Sequence, residues 1–218
     1  MTSANAKNYS RGRWQPIQFI VLHYTAGRND TAANNIKYFK NNAVGASAHY
    51  FVDETGWEQS VDDGDTAWSV GTAGYYTQKH PVCRNGNSIS IEMCCEADRY
   101  TIADETVDNA AELTRQLMDK YNIPLENVLR HWDVVNKQCP LSWVEDESKW
   151  LDFKERVKKL KRFKTFDELP DWAKPEAKEL IDAGAFRGRG DNLDVTEDML
   201  RVMIINMRYA NNIAEELR

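Results

Sequence analysis

No uninterrupted apolar run in the 218 residues approaches the ~20 that a membrane-spanning helix needs, so insertion into a bilayer is not expected. The first fifteen residues are polar and lack the apolar core of a secretory leader. Synthesis in the cytoplasm is therefore expected, with any later passage outward by another route. Positive charge is not in excess. The chain has 28 Lys+Arg against 34 Asp+Glu, a net of −6. Residues 165–218 alone hold 7 Lys+Arg and 12 Asp+Glu, which argues against nucleic acid as the partner. Cysteine is scarce: Cys83, Cys94, Cys95 and Cys139. The adjacent Cys94 and Cys95 cannot form an unstrained bridge together. Free thiols are the expectation, with a Cys83 bridge to Cys94 or Cys95 as the alternative. What remains is ordinary for a soluble globular chain, at 42% hydrophobic and 28% charged residues. The length suffices for one sizeable domain and a small second one.

Against this scarcity one stretch stands out, Arg130-His131-Trp132-Asp133-Val134-Val135-Asn136-Lys137-Gln138-Cys139-Pro140. It sets an imidazole and a thiol eight residues apart, with a lysine two residues before the thiol. His and Cys are natural ligands of a borderline-soft ion such as zinc. Asn127-Val128-Leu129 reads as a short strand delivering His131 at its end, and Pro140 fixes the loop that turns Cys139 back. A third ligand must come from elsewhere. His23 ends another apolar run, Ile17 to Leu22, of the kind that forms a strand buried on both faces. A histidine in an apolar strand is more often a core residue with its hydrogen bonds made. Here two strand-end histidines and a proline-fixed cysteine agree, and three protein ligands with an open fourth position is the catalytic zinc pattern. His80 and Cys83, three residues apart in a Gly- and Asn-rich loop, are a weaker pair.

The rest of the chain reads as alternating elements. Residues 31–42 fit a helix capped by Thr31. Ser47 to Val52 fits a strand, Asp53-Glu54-Thr55-Gly56 a turn, and Trp57 to Val61 its hairpin partner. Residues 62–86 form a long Gly- and Asp-rich loop, of a length that tends to be functional. Asn87 to Cys94 alternates, with Ile89, Ile91 and Met93 on one face and Glu92 on the other with Ser88 and Ser90. Glu92 is the candidate general base, and Lys137 the candidate cation beside the fourth position. Each has a plainer reading, as a surface glutamate or a loop lysine. Amphipathic helices fit 104–121 and 148–164, the second with a stripe of Trp150, Phe153, Val157 and Leu160. The boundary falls at 164/165. Beyond it lie a short helix stopping at Gly184, a loop at 187–192 and a helix from the cap Thr196 to about Leu217. That last helix is apolar on more than one side.

Four stretches together carry a resemblance: Phe19 to Ala26, Ser47 to Val52, Ser88 to Glu92, and Arg130 to Pro140. In that order, over about residues 17–160, they resemble the zinc-dependent N-acetylmuramoyl-L-alanine amidases of the type-2 family. That family includes phage and prophage endolysins and shares its fold with animal peptidoglycan-recognition proteins. The resemblance implies an α/β fold with a central mixed sheet flanked by helices in a catalytic domain at 1–164. It implies one zinc ion held by His23, His131 and Cys139, with Glu92 as acid/base and Lys137 stabilising the oxyanion. The implied partner is cell-wall peptidoglycan, reached after release from the cytoplasm. Two departures stand out. Members with a catalytic tyrosine before the strand histidine would carry it at Ala48, and the histidine that many members have after the loop tryptophan is missing from Trp68-Ser69-Val70-Gly71. His49 and Trp68 are the candidate substrate-groove residues. Residues 165–218, expected as a small all-α domain, loosely resemble helical modules appended to Gram-positive phage amidases. Wall attachment is the preferred role there, and dimerisation through the helices the alternative. The other functions weighed are a non-catalytic recognition module, a cytosolic muropeptide-recycling amidase and a zinc peptidase cutting within the stem peptide.

Overall fold

The computed structural model describes residues 2–71, 74–158, 162–187 and 193–216. Leu160, residues 188–192 of the predicted loop and Leu217 lie outside them. The chain divides into two compact units at 158/159, not at 164/165.

The first unit is built on a five-stranded mixed sheet, in the order β4 (Gly56–Gln59), β3 (Tyr50–Asp53), β6 (Ser88–Met93), β2 (Phe19–Tyr24), β7 (Val128–Arg130). Only the β3–β4 hairpin is antiparallel; β3, β6, β2 and β7 run parallel. Parallel strands buried on both faces need apolar side chains on both, which is why β2 is a continuous apolar run. One face presents Ile20, Leu22, Tyr50, Val52, Ile89, Ile91, Met93 and Val128. It is covered by α2 (Asp104–Tyr121) and α5 (Glu147–Lys158), where Trp150 stacks on Phe153. Full burial of each such side chain contributes ~1.5–3 kcal/mol. The other face carries Phe19, Val21 and Phe51. It is covered by α1 (Ala32–Asn41) near β3, and by Val70, Cys83, Val134 and Val135 near β7. At the C-terminal ends of β2 and β6 that second cover stops, and His23 and Glu92 sit there.

Several local expectations hold. Thr31 Oγ1 accepts the Asn34 N–H at 3.2 Å and caps α1, and Thr196 does the same for Met199. Others change. The polar lead-in is not free: β1 (Tyr9–Ser10) pairs with β5 (Thr66–Ala67), so part of the long 62–86 loop is strand. His131 does not end a strand. It opens the short helix α3 (His131–Val134), because the Asp133 carboxylate accepts the Arg130 backbone N–H at 2.8 Å and turns the chain there. The helix predicted to 164 is described over Glu147–Lys158 and does not reach 164, since Arg162–Phe163 is strand and Phe163 belongs to the core of the second unit. All four cysteines are free thiols.

The second unit has α6 (Lys174–Asp182) and α7 (Glu197–Glu216), each preceded by one strand of a short antiparallel pair, β8 (Arg162–Phe163) and β9 (Val195–Thr196), absent from the expected all-α design. Its core is Phe163, Leu169, Ala173, Ala177, Val195, Leu200 and Ile204. On its outward side α7 exposes Val202, Ile205 and Tyr209, so it is apolar on two faces. No helix among the described residues is long and apolar enough to cross a membrane.

Candidate metal centre

The sheet register builds the centre. Parallel pairing sets His23 of β2 beside Glu92 of β6, and Leu22 beside Arg130 of β7. The next residue on β7's side, His131, therefore comes up next to His23. Their rings meet edge-on at 4.5 Å between centroids. Cys139 returns to the same point because the Trp132 N–H donates to the Cys139 carbonyl at 3.0 Å, closing the loop between them. The Cys139 sulfur lies 3.8 Å from His23 Nδ1, and Glu92 Oε1 lies 4.0 Å from the same nitrogen. One ligand atom each of His23, His131 and Cys139 falls within 4.8 Å of the others, and all three residues are buried.

These groups have no ordinary partners. His23 Nε2, both ring nitrogens of His131 and Glu92 Oε2 are sealed from solvent without a hydrogen bond. Leaving a buried polar group unsatisfied costs ~1–3 kcal/mol. Four together cost ~4–12 kcal/mol, which rivals the whole ~5–15 kcal/mol stability of a domain. Such a cluster makes sense only if something else binds the lone pairs. Two imidazoles and one thiol converging in a dry site is a zinc donor set, with a position left for a fourth ligand. The residues present therefore fit that ion.

Electrostatics agree. Burial, then the neighbouring His131 and the Lys137 charge, holds the His23 imidazole far below its usual range, in the neutral form that ligates metal. Burial, helped by Lys137, takes His131 to about 3. Burial pushes the Cys139 thiol well up, with Glu92 adding to the effect. Burial also raises Glu92 to about 8, partly opposed by Lys137 and reinforced by Asp30. A dication held beside them would draw both acids back toward their ionised forms. Lys137 is held in place by the 75–83 segment lying along 134–137. There the Thr77 N–H donates to Asn136 Oδ1 at 2.7 Å, and the Asn136 N–H to the Thr77 carbonyl at 3.1 Å.

Residues 13–142 match the family model described as N-acetylmuramoyl-L-alanine amidase. The chain belongs to this amidase family. It is 36% identical over 156 residues to the N-acetylmuramoyl-L-alanine amidase CwlL of Bacillus licheniformis, a stretch covering 68% of this chain and 43% of that protein. The chain thus spans less than half the length of that relative. Among solved structures it resembles the catalytic domain of XlyA, with a TM-score of 0.59 and 29% identity over 70% of this chain and 93% of that one. A mutant endolysin from Bacillus subtilis gives a TM-score of 0.56 and 26% identity, covering 72% and 92%.

Of the two expected groove residues of this amidase-family chain, one is enclosed. His49 is 1% exposed. Its Nδ1 pairs with Ser90 at 3.0 Å, and its Nε2 lies 2.6 Å from an Arg13 guanidinium nitrogen. Enclosed in this way it cannot line an open groove, and it is a structural histidine. Trp68 is half-buried, and its indole N–H donates to Ser10 Oγ at 3.0 Å. His80 Nδ1 accepts the Cys83 N–H at 3.0 Å, while Cys83 packs in the apolar cover with Phe19 and Val21, so that pair makes a turn and not a metal site. Ala48 is buried against Ala32 and Phe51 and offers no proton-carrying group. The sequence reading missed two residues: Arg13, in the polar lead-in, and Asp63, in the long loop. The Asp63 carboxylate accepts from Tyr50, Gln59, Lys120 and Tyr121 at 2.6–2.9 Å. Arg13 donates to the Asp63 carbonyl.

Proposed function

We propose that this chain hydrolyses the amide joining the lactyl group of N-acetylmuramic acid to L-alanine in peptidoglycan. The observation that carries the reading is the buried cluster of His23, His131 and Cys139, in which His23 Nε2 and both His131 nitrogens have no hydrogen-bond partner, with Glu92 in register beside it. In this reading His23, His131 and Cys139 hold one zinc ion. Bound there, zinc would polarise the scissile carbonyl and make a water more acidic. Glu92 takes the proton of the attacking water and returns it to the L-alanine nitrogen as the amide bond breaks. A carboxyl whose affinity for protons is raised by burial suits both halves of that transfer. Lys137 sets a positive charge where the carbonyl oxygen becomes an oxyanion. The dry walls strengthen each of these interactions.

A non-catalytic recognition module would not need Glu92 and Lys137 together with a complete ligand set. A recycling enzyme would not need the second unit. A zinc peptidase would cut elsewhere in the stem. Mass spectrometry of digested cell walls separates these. Free stem peptides beginning with L-alanine are expected; cuts inside the stem, or none, would overturn the reading. Likeness to a solved endolysin supports a phage or prophage lysis role, with the wall reached after release from the cytoplasm. For the second unit we propose wall attachment, with self-association through the outward side of α7 as the alternative. Loss of pelleting with walls after truncation at Lys158 supports the first, and a fall in sedimentation mass from dimer to monomer the second.

A further inference from the structure

Two of the three proposed zinc ligands come from one short segment, and a single buried cation holds both its ends. Arg130 immediately precedes His131 and is 7% exposed. Its Nε and Nη2 grip the Asp133 carboxylate at 3.1 and 3.0 Å, the planar two-bond fork that a guanidinium makes and an ammonium cannot. Asp133 sits in α3, whose first residue is His131. The remaining terminal nitrogen, Nη1, turns the other way. It donates to the Trp143 carbonyl at 2.8 Å and to Glu147 at 2.6 Å. Trp143 lies in α4 (Leu141–Glu145), which starts two residues after Cys139. One guanidinium thus fixes the helix that begins with His131 against the helix that follows Cys139. The Trp132–Cys139 backbone bond closes the loop between them. A buried charge needs such partners to be tolerated, and here the partners are the two flanks of the metal loop.

We propose that Arg130 is a positioning residue for the metal centre: its fork on Asp133 and its bond to the Trp143 carbonyl preset the separation of His131 and Cys139. The inference rests on the zinc reading of the site. Groups that orient metal ligands from outside the coordination shell typically contribute ~10–100-fold in metal affinity.

The test uses the full chain, with zinc affinity read by competition against a chromophoric chelator and the cobalt-loaded protein read by its thiolate absorption band. Arg130→Lys keeps the charge and loses the fork. Asp133→Asn weakens the same fork from the other side. Glu147→Gln alters only the outer partner, a carboxylate that is 60% exposed. Arg130→Lys and Asp133→Asn are each expected to lose ~10–100-fold in zinc affinity and to shift the cobalt band, whereas Glu147→Gln stays within about twofold. A purely structural arginine would lower the melting temperature and leave zinc affinity and the cobalt band unmoved. That result overturns the inference, as does tight zinc binding by both variants. If Arg130→Lys does not fold, Asp133→Asn decides. Wild-type protein that binds no zinc would sink the zinc reading and this inference with it. Wild-type binding with unchanged variants sinks the inference alone.

Discussion

Two groups of buried histidine lie under the same face of one sheet, and their hydrogen bonds set them apart. His49 has both ring nitrogens engaged, by Ser90 on one side and Arg13 on the other, and Arg13 is tied to Asp63. His131 has neither engaged, and His23 Nε2 has no partner. Burial alone does not separate them, since His49, His23 and His131 are all nearly inaccessible. A satisfied polar group belongs to the scaffold. Imidazole nitrogens left unsatisfied at a cost of ~1–3 kcal/mol each, beside a buried thiol, fit a site that binds an ion.

The comparison can be broken from either side. The largest effect is expected in the unsatisfied cluster. Glu92→Gln is nearly isosteric, so it should keep zinc and fold while turnover on purified walls falls ~10²–10⁴-fold. Loss of zinc in this variant would make Glu92 a support of the site, not its base. In the satisfied cluster the effect should fall on stability and not on chemistry. Asp63→Asn removes the charge that Lys120 faces and turns an amide group toward donors. A loss of ~3 kcal/mol in urea unfolding is expected, with zinc per chain unchanged. Unaltered stability would show that the four bonds to Asp63 contribute little.

A smaller effect is expected from pH. Burial, then the Arg13 charge, takes His49 down to about 3. Between that value and the ordinary ~6.5, the unfolded chain binds a proton that folded His49 refuses. The contribution is therefore fully present above ~6.5 and is lost as pH falls toward 3. Between pH 7 and pH 5 it amounts to about 2 kcal/mol. Urea unfolding of wild type and His49→Gln at both values checks this. The variant should show a pH dependence weaker by about that amount, and equal slopes would contradict it.

Much of the centre was legible because its parts obey local rules. Apolar runs that must be strands end at His23 and near His131, and period-two alternation puts Glu92 opposite Ile89, Ile91 and Met93. Pro140 after Cys139 marks a fixed turn. The register that sets Glu92 beside His23 was not legible, since parallel strands distant in sequence carry no local signal of their pairing. The same holds for Arg13 and Asp63. Each sits in a polar segment without periodicity, and its partner is a long way off along the chain. His49 was misplaced for a related reason: a strand histidine reads alike whether its nitrogens face a groove or an arginine. The helix predicted to 164 followed the apolar stripe of Trp150, Phe153, Val157 and Leu160, while Phe163 pairs with Val195 in the other unit.

The most direct measurement is zinc content per chain, by elemental analysis, for wild type, Cys139→Ser and His49→Gln purified side by side. One zinc is expected in wild type, a sharp loss in Cys139→Ser, and full loading in folded His49→Gln. A fully loaded and active Cys139→Ser protein, or folded His49→Gln without zinc, would contradict the division between the two clusters.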